Sequence, residues 1–310
     1  VPGTFYDGYS YYLGLSKKIN DKNMIHFTTF GTPTSRGKQM GAMQEAYDLA
    51  GDNFYNPNWG YWNGDKRNSR VNNSFQPIAI LNWEYTPNTS TIVNLGASYQ
   101  WGYQGNTSVD WYNAMDPRPD YYRNLPSYYL YNTAGADPSM AQSREDFYRE
   151  NPDKLQVNWE RMYQANQMNY MTVNGVSGNR SVYIIGEDME RFNKTSLFGN
   201  IKKKLNDHVN LYMGMTYQMQ GTENFRQVND LLGGDYYVNL NQFAERTYLG
   251  NDQFNQNNLL NPNEIVREGD RYMYNYKNYF HKAFAWAQAT FTYKKIDAFV
   301  ALRGGAEFFQ

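Results

Sequence analysis

The sequence predicts an all-β fold. It reads as a portion of a transmembrane antiparallel β-barrel, about eight or nine strands in up-and-down hairpins, with long extracellular loops carrying short helices. Three observations carry this. Along residues 205–220, Val209, Leu211, Met213, Met215, Tyr217 and Met219 alternate with Asn210, Tyr212, Gly214, Thr216, Gln218 and Gln220. Such a period of two, kept up for roughly the 9–11 residues that cross a bilayer as a tilted strand, outlasts the usual soluble strand of about 5–6 residues. Second, aromatics reach 17% in a chain of mean hydropathy -0.81, which suits a thin lipid face, a wet lumen and aromatic girdles. Third, short turns alternate with polar stretches too long for the connections of a compact soluble domain.

Four hairpins follow in order. Tyr9–Ile19 turns at Asn20-Asp21-Lys22-Asn23 and returns through Met24–Phe30. Phe75–Tyr85 pairs with Thr91–Tyr103 across Thr86–Ser90. Ser196–Leu205 pairs with Val209–Gln220 across Asn206-Asp207-His208, and Ala283–Tyr293 pairs with Ala298–Phe309 across Lys294–Asp297. Asn, Asp and Pro favour tight reversal in each turn. Ser181–Asp188 is a further, less regular strand. The hairpins therefore lie near 5–30, 75–103, 181–220 and 281–309, and the loops near 31–74, 104–180 and 221–280. In outer-membrane barrels short turns face the periplasm and long loops the outside, which orients the chain. Within the loops, Asn151-Pro152-Asp153 predicts a helix start with Leu155, Trp159, Met162 and Tyr163 on one face. Gln39–Leu49 and Ser143–Glu150 are two more helix candidates.

The net charge of -1 provides no basic footprint, so nucleic acid is excluded as a partner. The absence of Cys removes disulfides and thiolate metal sites. No charged-then-apolar leader stands before Val1-Pro2-Gly3, so a secretion signal has been removed or the chain begins partway through a longer protein. His26, His208 and His281 are scattered and lack metal-ligand spacing. Asp230 and Asp235 flank Leu-Leu-Gly-Gly, which reads as a turn because the spacing of a calcium loop is missing. Asn-x-Ser/Thr triplets such as Asn88-Thr89-Ser90 are expected by chance in so Asn-rich a chain. No nucleophile elbow, phosphate loop or dinucleotide fingerprint occurs, so no catalytic residue, metal or cofactor is expected.

Loop aromatics are the candidates for ligand contact: Trp59, Tyr61 and Trp62 in the first loop, Trp111, Tyr112, Tyr121 and Tyr122 in the second, Tyr236 and Tyr237 in the third. Flat amphipathic rings near Asn, Asp and Arg offer stacking area and hydrogen bonds to a sugar or peptide. Packing of the loops on one another is the commoner fate of such rings. The most distinctive string is Asp110-Trp-Tyr-Asn-Ala-Met-Asp-Pro-Arg-Pro-Asp-Tyr-Tyr-Arg-Asn-Leu-Pro-Ser-Tyr128. Three prolines stiffen it, and Arg118 and Arg123 sit among Asp110, Asp116 and Asp120, so it reads as a braced, self-paired loop within reach of a ligand.

That string, placed after the Phe75–Tyr103 hairpin, resembles an extracellular loop of the TonB-dependent outer-membrane receptors of Bacteroidota, in members with a carboxypeptidase-like N-terminal extension. Asn56-Pro57-Asn58-Trp59-Gly60 and the opening hairpin are similar too. The resemblance implies a barrel of about 22 strands filled by an N-terminal plug, with import driven by an inner-membrane energy-coupling protein. This chain holds no identifiable plug or coupling box and matches a mid-barrel portion. The implied partners are the lipid bilayer, the remaining strands and plug, the coupling protein and a surface lipoprotein. Two alternatives stay open: a small self-contained barrel acting as adhesin or anchor, and a secreted lectin-like β-protein.

Overall fold

The computed structural model describes residues 1–131 and 135–310. The chain begins with β1 (Phe5–Gly8) and β2 (Tyr11–Asn20), which turn back into β3 (Asn23–Gly31) and β4 (Thr34–Gly37). The first loop holds helix α1 (Gln44–Ala50) and a hairpin of β5 (Trp59–Trp62) and β6 (Asp65–Asn68). Next come β7 (Val71–Phe75), β8 (Ile78–Asn88) and β9 (Thr91–Trp111). The second loop carries α2 (Pro126–Tyr131), α3 (Pro138–Glu150), α4 (Trp159–Gln167) and the hairpin of β10 (Tyr170–Val173) and β11 (Val176–Asn179). Then β12 (Tyr183–Lys204) and β13 (Val209–Asp230) form a long hairpin. The third loop contributes the short pair β14 (Tyr237–Val238) and β15 (Ile265–Val266), and β16 (Arg271–Tyr293) and β17 (Ile296–Phe309) follow.

Eleven strand segments join in one antiparallel sheet. Six of them are three interrupted crossings, because the register does not slip at the gaps. Gly8 faces Thr34 and Tyr11 faces Gly31; Thr34 faces Ser74 and Phe30 faces Ile78; Phe75 faces Tyr103 and Ile78 faces Gln100. Pro33 and Pro77 stand in two of the gaps, and a residue without an N–H cannot donate to the ladder. Opposite the β7/β8 gap, the one that holds Pro77, Gly102 takes φ 137, and a Cβ there would lie 1.9 Å from the Phe75 carbonyl oxygen. The wall is thus eight crossings: β1/β2, β3/β4, β7/β8, β9, β12, β13, β16 and β17. Among the described residues the first and last each pair on one side only, so the sheet is an open arc.

Register separates two chemistries. Met213 sits opposite Ile201 and Ala287, Ile201 opposite Val93, and Leu197 opposite Ala97. Ala97 faces Leu81, Leu81 faces Phe27, and Phe27 faces Leu15. Ala287 faces Leu302 at the other edge. One face is therefore an apolar band across every crossing, and its side chains stand open, Met215 being 64% exposed. One residue along, the other face carries Ser16 hydrogen-bonded to His26 at 2.8 Å and Asn94 donating to Asn200 at 3.0 Å. An outward apolar band over a polar lumen is the division a membrane barrel requires.

The short turns are built as the sequence implies. The Asn206 carboxamide oxygen accepts from the His208 and Val209 backbone N–H groups at 2.9 and 3.0 Å, and Lys204 pairs with Asp207 at 2.7 Å. At the opposite end β9, β12, β13 and β16 run to 21, 22, 22 and 23 residues. These strands outlast the ends read from sequence, and Ser181–Asp188 continues without a break into Ser196–Leu205. Loop residues cover both faces there, so Tyr183, Ile184, Ile185 and Glu187 are all buried and alternation disappears. Among the described residues the three apolar clusters lie in this outer region, at the strand ends and among the loops, not at the level of the apolar band.

The helix expected from Asn151 divides. Pro152–Leu155 makes a single 3-10 turn, Gln156 is extended, and Asn158 caps α4 by accepting from Arg161 N–H at 3.0 Å. The interruption has a cause: Val157 N–H donates to the Trp59 carbonyl at 2.9 Å, pulling the chain onto the β5–β6 hairpin. Helix α3 begins earlier than expected, where the Asp137 carboxylate accepts from Met140 N–H and Pro138 takes the first position. Helix α1 is shorter, starting at Gln44 and ending at Gly51 in the left-handed region.

Candidate ligand clefts among the outer loops

Where the lumen-side faces of β9, β12, β13 and β16 rise above the apolar band, they carry a buried polar network. Arg226 Nη1 donates to Asp188 at 2.8 Å, Nη2 to Ser108 at 3.0 Å and Nε to the Tyr272 hydroxyl at 2.6 Å. Tyr272 in turn donates to Asp110 at 2.8 Å, and Tyr274 to Asp188 at 2.8 Å. The two tyrosines reach the network because β16 bulges: Phe225 faces Asn275 but Arg226 faces Tyr272, and Met273 between them takes φ 67. Bulges re-aim side chains in this way. Asp110 is 2% exposed, so its charge is tolerable only with Arg226 and Tyr272 against it.

The Asp110–Tyr128 string runs outward from this network. Arg118 forms a two-point pair with Asp116, its Nε and Nη2 at 2.9 and 2.5 Å, and this pairing strengthens its hold on its proton. Its guanidinium lies 5.6 Å from the Trp111 ring and 5.5 Å from the Tyr121 ring. Burial pushes the Asp120 carboxyl up, opposed by its own backbone hydrogen bond and then by Arg118. The Pro117–Pro119 segment separates two clefts. One of about 230 Å³ is lined by Ser69, Arg70, Asp110, Trp111, Arg118 and Arg226. The other, about 300 Å³, includes Met115, Arg118, Arg144, Lys154, Arg161 and Tyr183. Arg118 lines both.

The structure brings Trp111, Arg118 and Tyr121 together, with Tyr122 exposed beside them and accepting from Arg123 at 2.9 Å. Tyr61 and Trp62 border a separate groove of about 480 Å³ with Asn63, Glu160, Tyr163 and Gln167. Trp62 stacks on Tyr163 at 3.9 Å and is half-buried, while Tyr61 is 55% exposed. The remaining four candidates are packed inside. Trp59 is buried against Gly3 and the edge of Tyr61. Tyr112, Tyr236 and Tyr237 share one apolar cluster. There the Tyr112 hydroxyl donates to Asp252 at 2.8 Å and accepts from Asn255 at 2.7 Å, and burial first of all pushes it up to about 12. Asp230 is held by Arg67 at 2.5 Å, and Asp235 accepts from Asn179 N–H at 2.7 Å.

Sequence reasoning missed Arg226, Asp188 and Tyr272, whose meeting depends on cross-strand register and a bulge. It also missed Asn166, which is fully buried. Its amide nitrogen donates to the carbonyls of Tyr183, Leu231 and Leu232 at 2.8, 2.9 and 3.0 Å, and its oxygen accepts from Val182 and Tyr183 N–H at 2.8 and 3.1 Å. A signal existed: Trp159, Met162 and Asn166 fall at i, i+3 and i+7 of one helix face, so the polar residue lies on the apolar stripe.

No family model and no curated protein matches the sequence. Solved structures do. A complex of FpvA from P. aeruginosa with an iron-loaded pyoverdine aligns over 99% of this chain at 10% identity and TM-score 0.50. The RagAB peptide transporter aligns over 98% at 11% identity and TM-score 0.45. The ferric-catecholate import receptor Fiu from E. coli K12 aligns over 98% at 8% identity and TM-score 0.47. The chain spans about a third of their length, 31%, 29% and 38% respectively. The fold class is therefore a long antiparallel up-and-down sheet matching part of a TonB-dependent receptor barrel, with short helices in its loops.

Proposed function

We propose that this chain is part of the wall and outer loops of an outer-membrane TonB-dependent receptor that imports a bulky nutrient, a glycan, peptide or metal chelate. The observation that carries this reading is the eight-crossing open arc, apolar on one face and polar on the other, with both end strands short of a partner. The partners are the bilayer, further strands and a plug of the same receptor, an inner-membrane coupling protein reached through that plug, and a surface lipoprotein. The Asp110–Tyr128 string supports placing the receptor among those of Bacteroidota with a carboxypeptidase-like extension. Trp111, Arg118 and Tyr121 are the first-choice cargo contacts, a cation between two rings beside a cleft, with Tyr122, Tyr61 and Trp62 as secondary contacts. Trp59, Tyr112, Tyr236 and Tyr237 act by holding the loops in shape.

The test is deletion of the full receptor gene, followed by growth on panels of glycans, peptides and metal chelates as the limiting nutrient. The expected result is loss of growth on one cargo class, reproduced when the proton gradient is collapsed by an uncoupler, and a reduction of at least tenfold in uptake for Arg118→Ala with Tyr121→Ala. Unchanged growth on every class, or uptake that persists without the gradient, would replace the import reading with the adhesin or anchor reading.

A further inference from the structure

The lipid-facing surface has a cleft of its own at its outer margin. On that face Trp101, Asn193, Gly221 and Tyr279 stand opposite one another in one register row. Two residues further out the next row is Tyr103, Arg191, Glu223 and Lys277. Both rows share the parity of Met213 and Met215, and the register of β13 does not shift until Phe225/Arg226. The rows mark the place where the apolar band gives way to amphipathic rings: Trp101, Tyr103 and Tyr279 are 36%, 38% and 47% exposed.

Across β12, β13 and β16, on the Tyr279 side of these rows, lies a cleft of about 200 Å³, lined by Arg191, Asn193, Glu223, Lys277 and Tyr279 over the bare backbone of Gly221. Its charges do not balance. Glu223 pairs with Arg271 at 2.9 Å and lies 3.7 Å from Lys277, so one carboxylate stands among three cations. Arg191 has no carboxylate within ion-pair distance among the described residues; its guanidinium lies 5.0 Å from the Phe225 ring, which Arg271 also approaches at 4.1 Å. A wall that faced only hydrocarbon and water here would have no use for an unpaired Arg191 beside two further cations that share one carboxylate.

We propose that this cleft binds the phosphorylated headgroup of an outer-leaflet glycolipid, with Arg191 and Lys277 on the phosphate oxygens and Tyr279 and Trp101 against the acyl end. The inference rests on the outer-membrane reading above. Compact phosphate oxygens suit a guanidinium and an ammonium held by a neighbouring carboxylate, and interfacial rings suit a ligand that is half apolar. A free anion would gain nothing from the exposed rings, which is why the lipid is the source.

The full receptor, extracted from outer membranes in mild detergent, is examined by native mass spectrometry with bis-phosphorylated lipid A, its dephosphorylated form and inorganic phosphate as probes. The wild type is expected to retain the bis-phosphorylated lipid at least tenfold better than the dephosphorylated one. Arg191→Gln with Lys277→Gln removes that preference, Arg191→Lys keeps most of it, and Lys203→Gln at the opposite end of the wall leaves it unchanged. Inorganic phosphate at millimolar concentration does not displace the lipid. Equal retention of both lipids by the wild type, retention by the double variant equal to wild type, or displacement by inorganic phosphate would overturn the site. Heat-resistant gel mobility checks folding, and if the double variant fails to fold, the two-lipid comparison on the wild type decides alone. A receptor absent from outer-membrane fractions defeats the membrane reading and this one together; a receptor present there that retains both lipids equally defeats only the lipid site.

Discussion

Asn166 ties three parts of the outer region together through a single carboxamide: α4, the start of β12 and the turn at Leu231–Leu232. Replacing it with Ala leaves buried carbonyls and N–H groups without partners, at about 1–3 kcal/mol for each group that finds no substitute. The loss falls on the loops, because the wall is held by its own ladders. Asn166→Ala is therefore expected to leave heat-resistant barrel mobility unchanged while opening the second and third loops to added protease on intact cells. Loops as resistant as wild type would mean that water or rearranged backbone satisfies those groups. The same distinction explains how far individual residues could be read from the sequence. Tyr112, Tyr236 and Tyr237 have the composition of a sugar platform, but a ring's fate depends on which loop folds over it, and here the third loop buries all three. Arg118 is different: its partner Asp116 is two residues away, so the local string already contains the pairing.

At the scale of a strand, β13 provides the sharpest test. Met213 is 37% exposed on the apolar face and stands between Ile201 and Ala287, whereas Thr216 stands between Phe198 and Phe284 on the lumen side. Met213→Arg puts a charge against hydrocarbon at a cost of about 2–4 kcal/mol near mid-bilayer, and Thr216→Arg puts it on the wet face at much smaller cost. Folded receptor in outer-membrane fractions should fall for the first variant and stay near wild type for the second. Equal tolerance, or greater damage from Thr216→Arg, would show that the face assignment is inverted. Strands of this kind were readable where one face meets lipid and the other the lumen, because alternation records exactly one buried chemistry per face. Their outer ends were not, since loops cover both faces of Tyr183–Glu187 and every position becomes apolar or buried. The breaks at Tyr9–Ser10, Pro33 and Pro77 divide three crossings without changing their register, so hydrogen-bond segments outnumber crossings.

For the molecule as a whole, the deciding question is what the edges of the arc meet. An eight-stranded barrel closed on itself has an interior just wide enough for side chains. This wall instead lines its inner face with Tyr212, Trp286 and Phe284 at three successive levels and packs the cluster of Tyr236, Tyr237 and Leu240 beside Tyr272 at the outer end. An exposed strand edge left open is also a template for unwanted pairing, so the β1/β2 and β17 edges call for partners. The chain has no cysteine of its own, so the introduced pairs have no native thiol within it to compete with them. Ser98→Cys with Ser196→Cys, directly opposite across β9 and β12, is the positive control. The test panel combines Cys at Leu13, Leu15 or Lys17 on β2 with Cys at Ala298, Val300 or Leu302 on β17, each pair introduced into the full receptor and oxidised in intact outer membranes. Cross-linking in the control and in no panel pair is the expected result, because in a wide barrel these two strands have other strands between them. Any panel pair that oxidises as completely as the control would mean that the eight crossings close into a small barrel, and the adhesin or anchor reading would then take the place of import.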